Sequence, residues 1–220
     1  MFFCMIVWCA SYPKSGNTWV KAIIASLLYS EDGIFHFEML KKIGQFPIKN
    51  QFKDYIEDYS NLKKISEHWI KAQEKINSDA KLRIFKTHNG NYNFFGSNFT
   101  DKNNTLGVIY IVRDPRNMIA SIANHYQHSI KESTDFLLDE RKLLFVTNPN
   151  NPHYKSEKNV VTLLGSWKDH YNSWKISSNI IIIRYEDLIN DTKKQVIKLL
   201  EFLKKFGDVK SNKKKNRQHY

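Results

Sequence analysis

The sequence predicts an α/β fold of three layers, in which helices flank a central, mostly parallel β-sheet. Short apolar runs rich in β-branched residues alternate along the chain with segments whose apolar residues recur at helical spacing. The chain has 220 residues, of which 41% are apolar, and this suits one domain with a sizeable core. Alternating strands and helices are typical of parallel sheets covered by helices.

The chain begins with a predicted strand and helix. Residues 5–11 form an apolar run that predicts a buried strand, followed by a turn containing Pro, Lys, Ser and Gly. A helix is predicted from about Gly16, because apolar residues then recur at helical spacing: Trp19, Val20, Ile23, Ile24, Leu27 and Leu28. We expect residues 31–80 to be mostly helical and polar, anchored to the core by Trp69 and Ile70.

The middle of the chain holds two more predicted strands. Residues 82–86 suit a short strand, and the Asn-rich segment 89–104 has the composition of a loop. Residues 105–112 are the clearest buried strand, because β-branched residues and Tyr dominate them. An Arg-Asp-Pro-Arg sequence ends this strand, and residues 117–126 are predicted to form a helix.

The remaining third continues the alternation. Residues 129–158 are polar, with a Pro- and Asn-rich run at 148–152, and predict a surface excursion. A helix is expected next, with one apolar face: Leu163, Leu164, Trp167, Tyr171 and Trp174. Residues 179–184 suit a buried strand, and residues 192–206 an amphipathic helix.

The net charge of +12 is concentrated near the C-terminus. Residues 193–220 contain ten Lys and Arg against two acidic residues. We therefore expect one domain over residues 1–206 and a basic polar tail over 207–220. Such a tail is more typical of a solvated end than of a specific nucleic-acid reader, although the charge predicts attraction of anionic ligands.

The sequence argues against a membrane-spanning protein and against a metal site. No stretch approaches the ~20 apolar residues that span a bilayer, and the apolar start lacks the basic segment of a signal peptide. Cys4 and Cys9 share one predicted strand, which rises ~3.3 Å per residue, so they lie too far apart to bridge. These features predict a cytoplasmic protein with buried thiols, and no Cys/His spacing indicates a metal site.

The turn after the first strand has the sequence Ser-Tyr-Pro-Lys-Ser-Gly-Asn-Thr-Trp at 11–19. A tight turn that opens a helix presents unpaired backbone N–H groups, which bind anions. Gly16 permits close backbone approach, Lys14 adds positive charge, and three neighbours add polar donors: Ser15, Asn17 and Thr18. The alternative is an ordinary strand–turn–helix with a capping Ser. A Walker A loop is excluded, because its Lys follows the second Gly, whereas Lys14 precedes Gly16.

Two further strand ends carry candidate site residues. Lys86 and His88 lie on the same side of an extended chain, so they can supply a cation and a base to one reaction, although a lone His is usually structural. Arg113 ends the strand 105–112, and Ser121 follows eight positions later; a forked cation and a hydroxyl suit a phosphate. Alternatively, Arg113 pairs with a nearby acid, Asp114 or Asp187, or Asp114 ends a magnesium-binding Walker B strand.

These segments, taken in order, resemble motifs of the cytosolic sulfotransferase family. Residues 12–19 resemble its phosphosulfate loop, Tyr-Pro-Lys-Ser-Gly-Thr-Thr-Trp, from which only Asn17 departs. Lys-Thr-His at 86–88 resembles its catalytic strand, and Arg113 and Ser121 hold the places of its 3′-phosphate site. Two later motifs agree: Gly-Ser-Trp at 165–167 resembles a scaffold helix, and Tyr-Glu-Asp at 185–187 resembles the family's turn.

The resemblance spans about residues 5–206 and implies a P-loop-like nucleotide-binding fold. It implies metal-free sulfuryl transfer from 3′-phosphoadenosine 5′-phosphosulfate to a hydroxyl or amine of a small molecule or glycan. His88 would be the general base, Lys86 would steady the sulfuryl oxygens, and Lys14 would complete the catalytic set. The donor would be bound by these residues: Lys14, Ser15, Gly16, Asn17, Thr18, Trp19, Arg113, Ser121 and Tyr185. Tyr185 would lie beside the adenine and Trp19 would stack on it, although either aromatic suits a core.

One motif of the family is missing, and two alternatives remain. The closing loop Arg-Lys-Gly-x-x-Gly-x-Trp-Lys has no counterpart after Phe206, so we expect a sulfotransferase domain over 1–206 that is C-terminally incomplete relative to the family. Either the C-terminal part has been lost, or this is a shorter form that closes its site differently. A nucleotide-dependent phosphotransferase would need Mg²⁺ and ligands for it. A truncated remnant would bind polyanions through the basic tail. The acceptor and the oligomeric state stay open, because residues 31–80 and 129–158, which are expected to shape the acceptor pocket, carry no recognisable pattern.

Overall fold

The computed structural model describes residues 5–144 and 160–207. The strands are β1 Ile6–Ser11, β2 Gly44–Gln45, β3 Arg83–Thr87, β4 Asn93–Phe94, β5 Ser97–Asn98, β6 Thr105–Val112, β7 Leu143–Leu144, β8 Thr162–Leu163 and β9 Ile180–Arg184. The α-helices are α1 Asn17–Tyr29, α2 Leu62–Ser66, α3 Trp69–Asn77, α4 Pro115–Tyr126, α5 Ile130–Leu138, α6 Trp167–Lys175, α7 Tyr185–Asn190 and α8 Thr192–Lys204. Within the described residues, no helix is both long and apolar enough to cross a bilayer.

Five strands form the central sheet, in the order β2-β3-β1-β6-β9, and every neighbouring pair is parallel. β1 lies in the middle, and all its residues are buried. Because successive side chains of a strand point to opposite faces, Trp8 packs with Trp69 and Trp174 of α3 and α6, whereas Cys9 packs with α1 and α8. The sheet thus separates two helical layers, and the predicted three-layer α/β fold is confirmed.

Four predicted strands and three predicted helices are present within a few residues of their predicted bounds. They are β1, β3, β6, β9, α1, α4 and α8. Helix α4 begins at Pro115, two residues before its predicted start, because the Asp114 side chain accepts from the N–H of Arg116 and Pro115 occupies the first turn. Local capping therefore sets this boundary.

The prediction that residues 31–80 are mostly helical is wrong. In that range only α2 and α3 are α-helical; the rest consists of 3₁₀ helices, bends and the strand β2, which pairs with β3. Phe46 and Phe52 of this segment are buried in the same cluster as Trp8, so aromatic packing against the sheet decides the path of the chain. Trp69 is buried as predicted, whereas Ile70 is half-buried.

Two loop predictions also need correction. The segment 89–104 contains the hairpin β4–β5. The range 129–158 is not wholly a surface excursion, because helix α5 buries Phe136 and Leu137. Its start is fixed by a capping box in which Ser129 and Glu132 bond to each other's backbone N–H. The Pro- and Asn-rich run at 148–152 lies outside the described residues.

The helix predicted from Leu163 begins only at Trp167. Leu163 belongs to β8, which pairs with β7. Gly165 has a φ of +67°, a left-handed conformation that interrupts a helix, and the Ser166 side chain then caps α6 by accepting from the N–H of Asp169.

The carboxyl ends of the five parallel strands meet at one edge of the sheet. In sheet order, the chain leaves β2 at Phe46, β3 at His88, β1 at Tyr12, β6 at Arg113 and β9 at Tyr185. Neighbouring strands lie ~4.8 Å apart, so these segments stand side by side. Ligands of open α/β sheets bind outside such an edge.

Candidate active site

A cavity of about 670 Å³ opens at the carboxyl edge of the sheet. Most of the predicted site residues line it: Lys14, Gly16, Asn17, Thr18, Lys86, His88, Arg113, Ser121 and Tyr185. Ser15 and Trp19 are not among the lining residues. The Ser15 side chain is fully buried and its hydroxyl donates to the sulfur of Met118 at 3.8 Å. This hydroxyl therefore points into the protein and not into the cavity, contrary to the prediction.

The loop between β1 and α1 is shaped by two left-handed residues, Lys14 with φ 67° and Gly16 with φ 96°. A Cβ atom on Gly16 would lie 2.5 Å from Cδ2 of Tyr185, so both the backbone angle and the neighbouring ring require glycine here. The N–H groups of Trp19 and Val20 are the first to bond to the Gly16 carbonyl, at 3.0 and 3.3 Å. The earlier N–H groups of the first turn have no intrahelical carbonyl, as in other anion-binding helix starts.

Asn17 uses its side chain inside the protein. Its amide nitrogen donates to the carbonyl of Cys9 at 3.2 Å and to the hydroxyl of Ser11 at 3.0 Å. Its Oδ1 is buried and has no hydrogen-bond partner among the described residues. The sequence predicted that the Asn17 amide donates a hydrogen bond to a bound anion. In this structure the amide instead donates to β1 and so joins the start of α1 to the end of β1.

The imidazole of His88 is held in one orientation. Its Nδ1 lies 2.6 Å from the Ser11 carbonyl oxygen, which can only accept, so Nδ1 carries the proton and Nε2 carries the lone pair. Burial, followed by the positive charge of Lys86, lowers the pKa of His88 well below 6.5. His88 is therefore neutral at neutral pH and has an unprotonated nitrogen available to accept a proton.

His170 holds the backbone of His88 in place. The sequence indicated only that this part of the chain resembles a scaffold helix of the family, and not this contact. His170 is fully buried, and burial lowers its pKa to about 4. Its Nε2 donates to the His88 carbonyl at 3.1 Å, and its Nδ1 accepts from the Tyr110 hydroxyl at 2.8 Å. Trp174 of the same helix donates to the carbonyl of Asn89 at 3.0 Å. Helix α6 thus fixes the backbone that carries His88.

Lys86 contributes a cation in an unfavourable environment. Burial, and then the charge of Lys21, lowers its pKa to about 8. Since it lines the cavity and has no carboxylate within 4.0 Å among the described residues, a negatively charged ligand would stabilise its charged form. Lys86 and His88 thus line the same cavity at the end of β3.

Arg113 is aimed into the cavity and is not a structural ion pair. Its guanidinium lies over the ring of Tyr185, 4.2 Å from the centroid, and donates to the Lys14 carbonyl at 3.2 Å. Its Nε is buried and without a hydrogen-bond partner in the described part of the chain. The alternative partners bind elsewhere, Asp114 to Arg116 and Asp187 to Arg184. Ser121 lines the same cavity from α4.

The two predicted adenine-contacting aromatics have different surroundings. Tyr185 lines the cavity beneath Arg113. Trp19 is half-buried and packs against the core between α1 and α8, with its ring 6.0 Å from Tyr185 in an edge-on arrangement. In this structure the core alternative therefore describes Trp19 better, while Tyr185 is accessible to a ligand.

The cavity is strongly cationic. Among the described residues, four basic side chains line it, Lys14, Lys86, Arg113 and Lys142, and no Asp or Glu does. Within residues 5–144 and 160–207, no three His, Cys, Asp or Glu side chains are grouped so that they could hold a metal ion. The cavity therefore brings a neutral imidazole, that of His88, together with basic side chains that can bind an anion.

Comparisons with known proteins show the family of this chain. The family model described as a sulfotransferase domain matches residues 6–218. Mouse sulfotransferase 1E1 is 26% identical over 204 residues, which cover 89% of this chain and 58% of the mouse protein. Guinea pig 3-beta-hydroxysteroid sulfotransferase is 27% identical, with 89% and 57% covered, and rabbit amine sulfotransferase is 25% identical, with 90% and 56% covered.

The chain therefore spans somewhat over half the length of these relatives. Among solved structures, retinol dehydratase in a complex with retinol and PAP superimposes with a TM-score of 0.52 at 16% identity, covering 96% of this chain and 63% of the other. That likeness shows the fold. The family model covers nearly the whole chain, and the chain belongs to the sulfotransferase family.

Proposed function

We propose that this protein transfers a sulfuryl group from 3′-phosphoadenosine 5′-phosphosulfate to an acceptor hydroxyl. One observation carries the proposal: a neutral His88 lies at the carboxyl edge between the anion-binding loop after β1 and the apolar segment after β2. The relatives named as sulfotransferases and the fold neighbours bound to PAP support it. A cytoplasmic location stays a prediction.

The residues present fit the donor. The donor end of the cavity consists of Lys14, Gly16, Thr18, Arg113, Ser121 and Tyr185. Arg113 has a buried Nε without a partner, which a 3′-phosphate oxygen would satisfy, and the start of α1 and Lys14 suit the 5′-phosphosulfate. Tyr185 offers a ring to the adenine. When bound there, the donor supplies the sulfuryl group.

The protein's own groups would act as follows. Nε2 of His88 accepts the proton of the acceptor hydroxyl, while the Ser11 carbonyl holds Nδ1–H and stabilises the imidazolium that forms. Lys86 and Lys14 stabilise the negative charge that develops on the sulfuryl and leaving oxygens. The apolar walls exclude water, which strengthens these electrostatic interactions.

The acceptor end of the cavity consists of Gln45, Phe46, Pro47, Phe136, Lys142, Leu143, Leu144, Val160 and Thr162. It adjoins His88, because β2 is the strand next to β3 and the Phe46 N–H donates to the Lys86 carbonyl at 3.0 Å. Its apolar surface suits a small organic acceptor. A phosphotransferase is the weaker alternative, since no acidic residue that could bind Mg²⁺ lines the cavity within the described chain.

A transfer assay tests the proposal. The protein is incubated with a mixture of hydroxylated acceptors and either the radiolabelled sulfuryl donor or radiolabelled ATP with Mg²⁺. We expect label to reach an acceptor only from the sulfuryl donor, with EDTA present, and to depend on His88. Transfer from ATP, or sulfuryl transfer unaffected by His88→Ala, would contradict the proposal.

A further inference from the structure

We propose that the acceptor carries an anionic group, such as a carboxylate, that pairs with Lys142. This inference rests on the proposed sulfuryl transfer and narrows its acceptor from hydroxyl compounds in general to hydroxy acids. Lys142 would be a specificity-determining residue at the acceptor end of the cavity.

The position of Lys142 relative to His88 is set by hydrogen bonds. The β7–β8 hairpin is attached to the segment directly after His88: the Leu163 N–H donates to Oδ1 of Asn89 at 2.9 Å, and the Gly90 N–H donates to the Leu163 carbonyl at 2.8 Å. The carbonyl of Lys142 in turn accepts from Leu164 and Gly165 at 2.9 and 3.0 Å. Lys142 is therefore fastened to the side of the cavity on which the base lies.

The charges of the cavity assign Lys142 to the acceptor. Three of the four lining cations, Lys14, Lys86 and Arg113, belong to the loop, strand end and pocket that suit the donor's phosphates and sulfate. The ammonium of Lys142 lies 4.6 Å from the centroid of the Phe136 ring and forms no ion pair with any described carboxylate. It is a half-buried cation left over once the donor's charges are matched.

The surroundings of Lys142 make a charge pair effective. Phe136, Leu143, Leu144 and Val160 form apolar walls beside it, and a charge pair is stronger where water is displaced. With the donor bound, an acceptor that carries an ammonium group would instead meet the unmatched charge of Lys142, and no Asp or Glu of the described chain lines the cavity to pair with it. Like-charge contacts oppose binding, so the cavity discriminates against amines.

A matched series of acceptors tests the inference. Three para-substituted phenols of equal length, ending in a carboxylate, a carboxamide or an ammonium group, are titrated into the protein in the presence of PAP. We expect the carboxylate to bind at least about tenfold more tightly than the carboxamide, as for a charge-assisted contact, and the ammonium to bind most weakly. Lys142→Met should abolish the carboxylate preference and leave carboxamide binding unchanged, whereas the exposed, ion-paired Lys131→Met should change neither.

Charge reversal provides a second variant. Lys142→Glu should invert the order, so that the ammonium phenol binds best. Equal binding of carboxylate and carboxamide to the wild-type protein, or a carboxylate preference that survives both Lys142 variants, would overturn the inference. Because this readout is binding and needs no turnover, a Lys142-dependent preference without sulfuryl transfer would refute the proposed reaction and not the anion site.

Discussion

The donor end and the acceptor end of the cavity are built from different kinds of chain segment. The donor end uses the residues directly after β1, β6 and β9, three adjacent parallel strands in the middle and at one side of the sheet. The acceptor end uses the segment after the short edge strand β2 together with α5 and the two-residue strands β7 and β8. Strands of the central sheet position the donor end, whereas short strands and helix α5 position the acceptor end.

This difference separates two properties of the molecule. The sheet edge places Lys14, His88 and Arg113 around one cavity, so the residues of the proposed reaction are positioned by the central strands. The proposed acceptor end depends instead on short segments outside the central strands. The predictions below test whether the two ends are independent.

The largest expected effect is on turnover, from a substitution of His88, which lies between the donor end and the acceptor end of the cavity. His88→Ala should lower kcat by ~10²–10⁴-fold, the usual contribution of general acid–base catalysis, while PAP affinity stays nearly unchanged. Steady-state kinetics and calorimetry measure the two properties, and the exposed His36→Ala variant is the control. Turnover that is retained with alanine at position 88 would show that the base lies elsewhere.

The next effect should be confined to the donor end. Arg113→Ala should weaken PAP by about tenfold or more and weaken 5′-AMP, which lacks the 3′-phosphate, much less, because a charge-assisted contact to that phosphate is lost. Arg116→Ala is the matched control, since Arg116 is exposed and pairs with Asp114. Equal losses for both nucleotides would make Arg113 a structural residue.

A third prediction concerns the packing beneath the donor end. Gly16→Ala and Gly33→Ala both put alanine at positive φ, but only at position 16 does the new Cβ meet the Tyr185 ring. Gly16→Ala should therefore lower the free energy of unfolding by a further ~1–3 kcal/mol, as overpacking does, measured by urea denaturation. Adding Tyr185→Ala should remove this excess. Equal costs at the two glycines would mean that the ring moves freely.

The smallest effect is a pH dependence. Because the pKa of Lys86 is lowered to about 8, this lysine loses its charge as the pH rises above 8, and donor affinity should fall severalfold by about pH 9. Lys86→Arg keeps its charge and should remove this fall. On the acid side, the lowered pKa of His88 means that the base stays neutral well below pH 6.5, so activity should persist there. Activity lost near pH 6.5 would indicate an unperturbed imidazole.

The sequence indicated that Lys14, Arg113 and Tyr185 lie near one edge of the sheet, because each of them follows a recognisable strand directly or within three residues. β1 and β6 are apolar, buried strands, and the turn after β1 has a composition that only a helix start with a left-handed glycine explains. The roles of Ser15 and Asn17 could not be read in the same way. Whether a side chain in the first turn faces the cavity or the protein depends on the neighbours Met118, Cys9 and Ser11.

The acceptor end could not be predicted because its determinants are distant in sequence. Aromatic packing of Phe46 against Trp8 holds part of residues 31–80 in a non-helical path against the sheet. His170 contacts His88 across 82 residues of sequence, and no local pattern marks that contact. Lys142 likewise gains its significance only from the hairpin that brings it to the cavity.

Nucleotide binding by the whole chain, measured calorimetrically with EDTA present, tests the central claim most directly. That claim is that the sheet edge holds a 3′-phosphorylated adenosine nucleotide with the protein's own cations. PAP should bind at least about tenfold more tightly than 5′-AMP or ADP, because only PAP places a phosphate at Arg113. EDTA should not change its affinity. Equal affinity for the three nucleotides, or PAP binding that requires a divalent metal, would contradict the account.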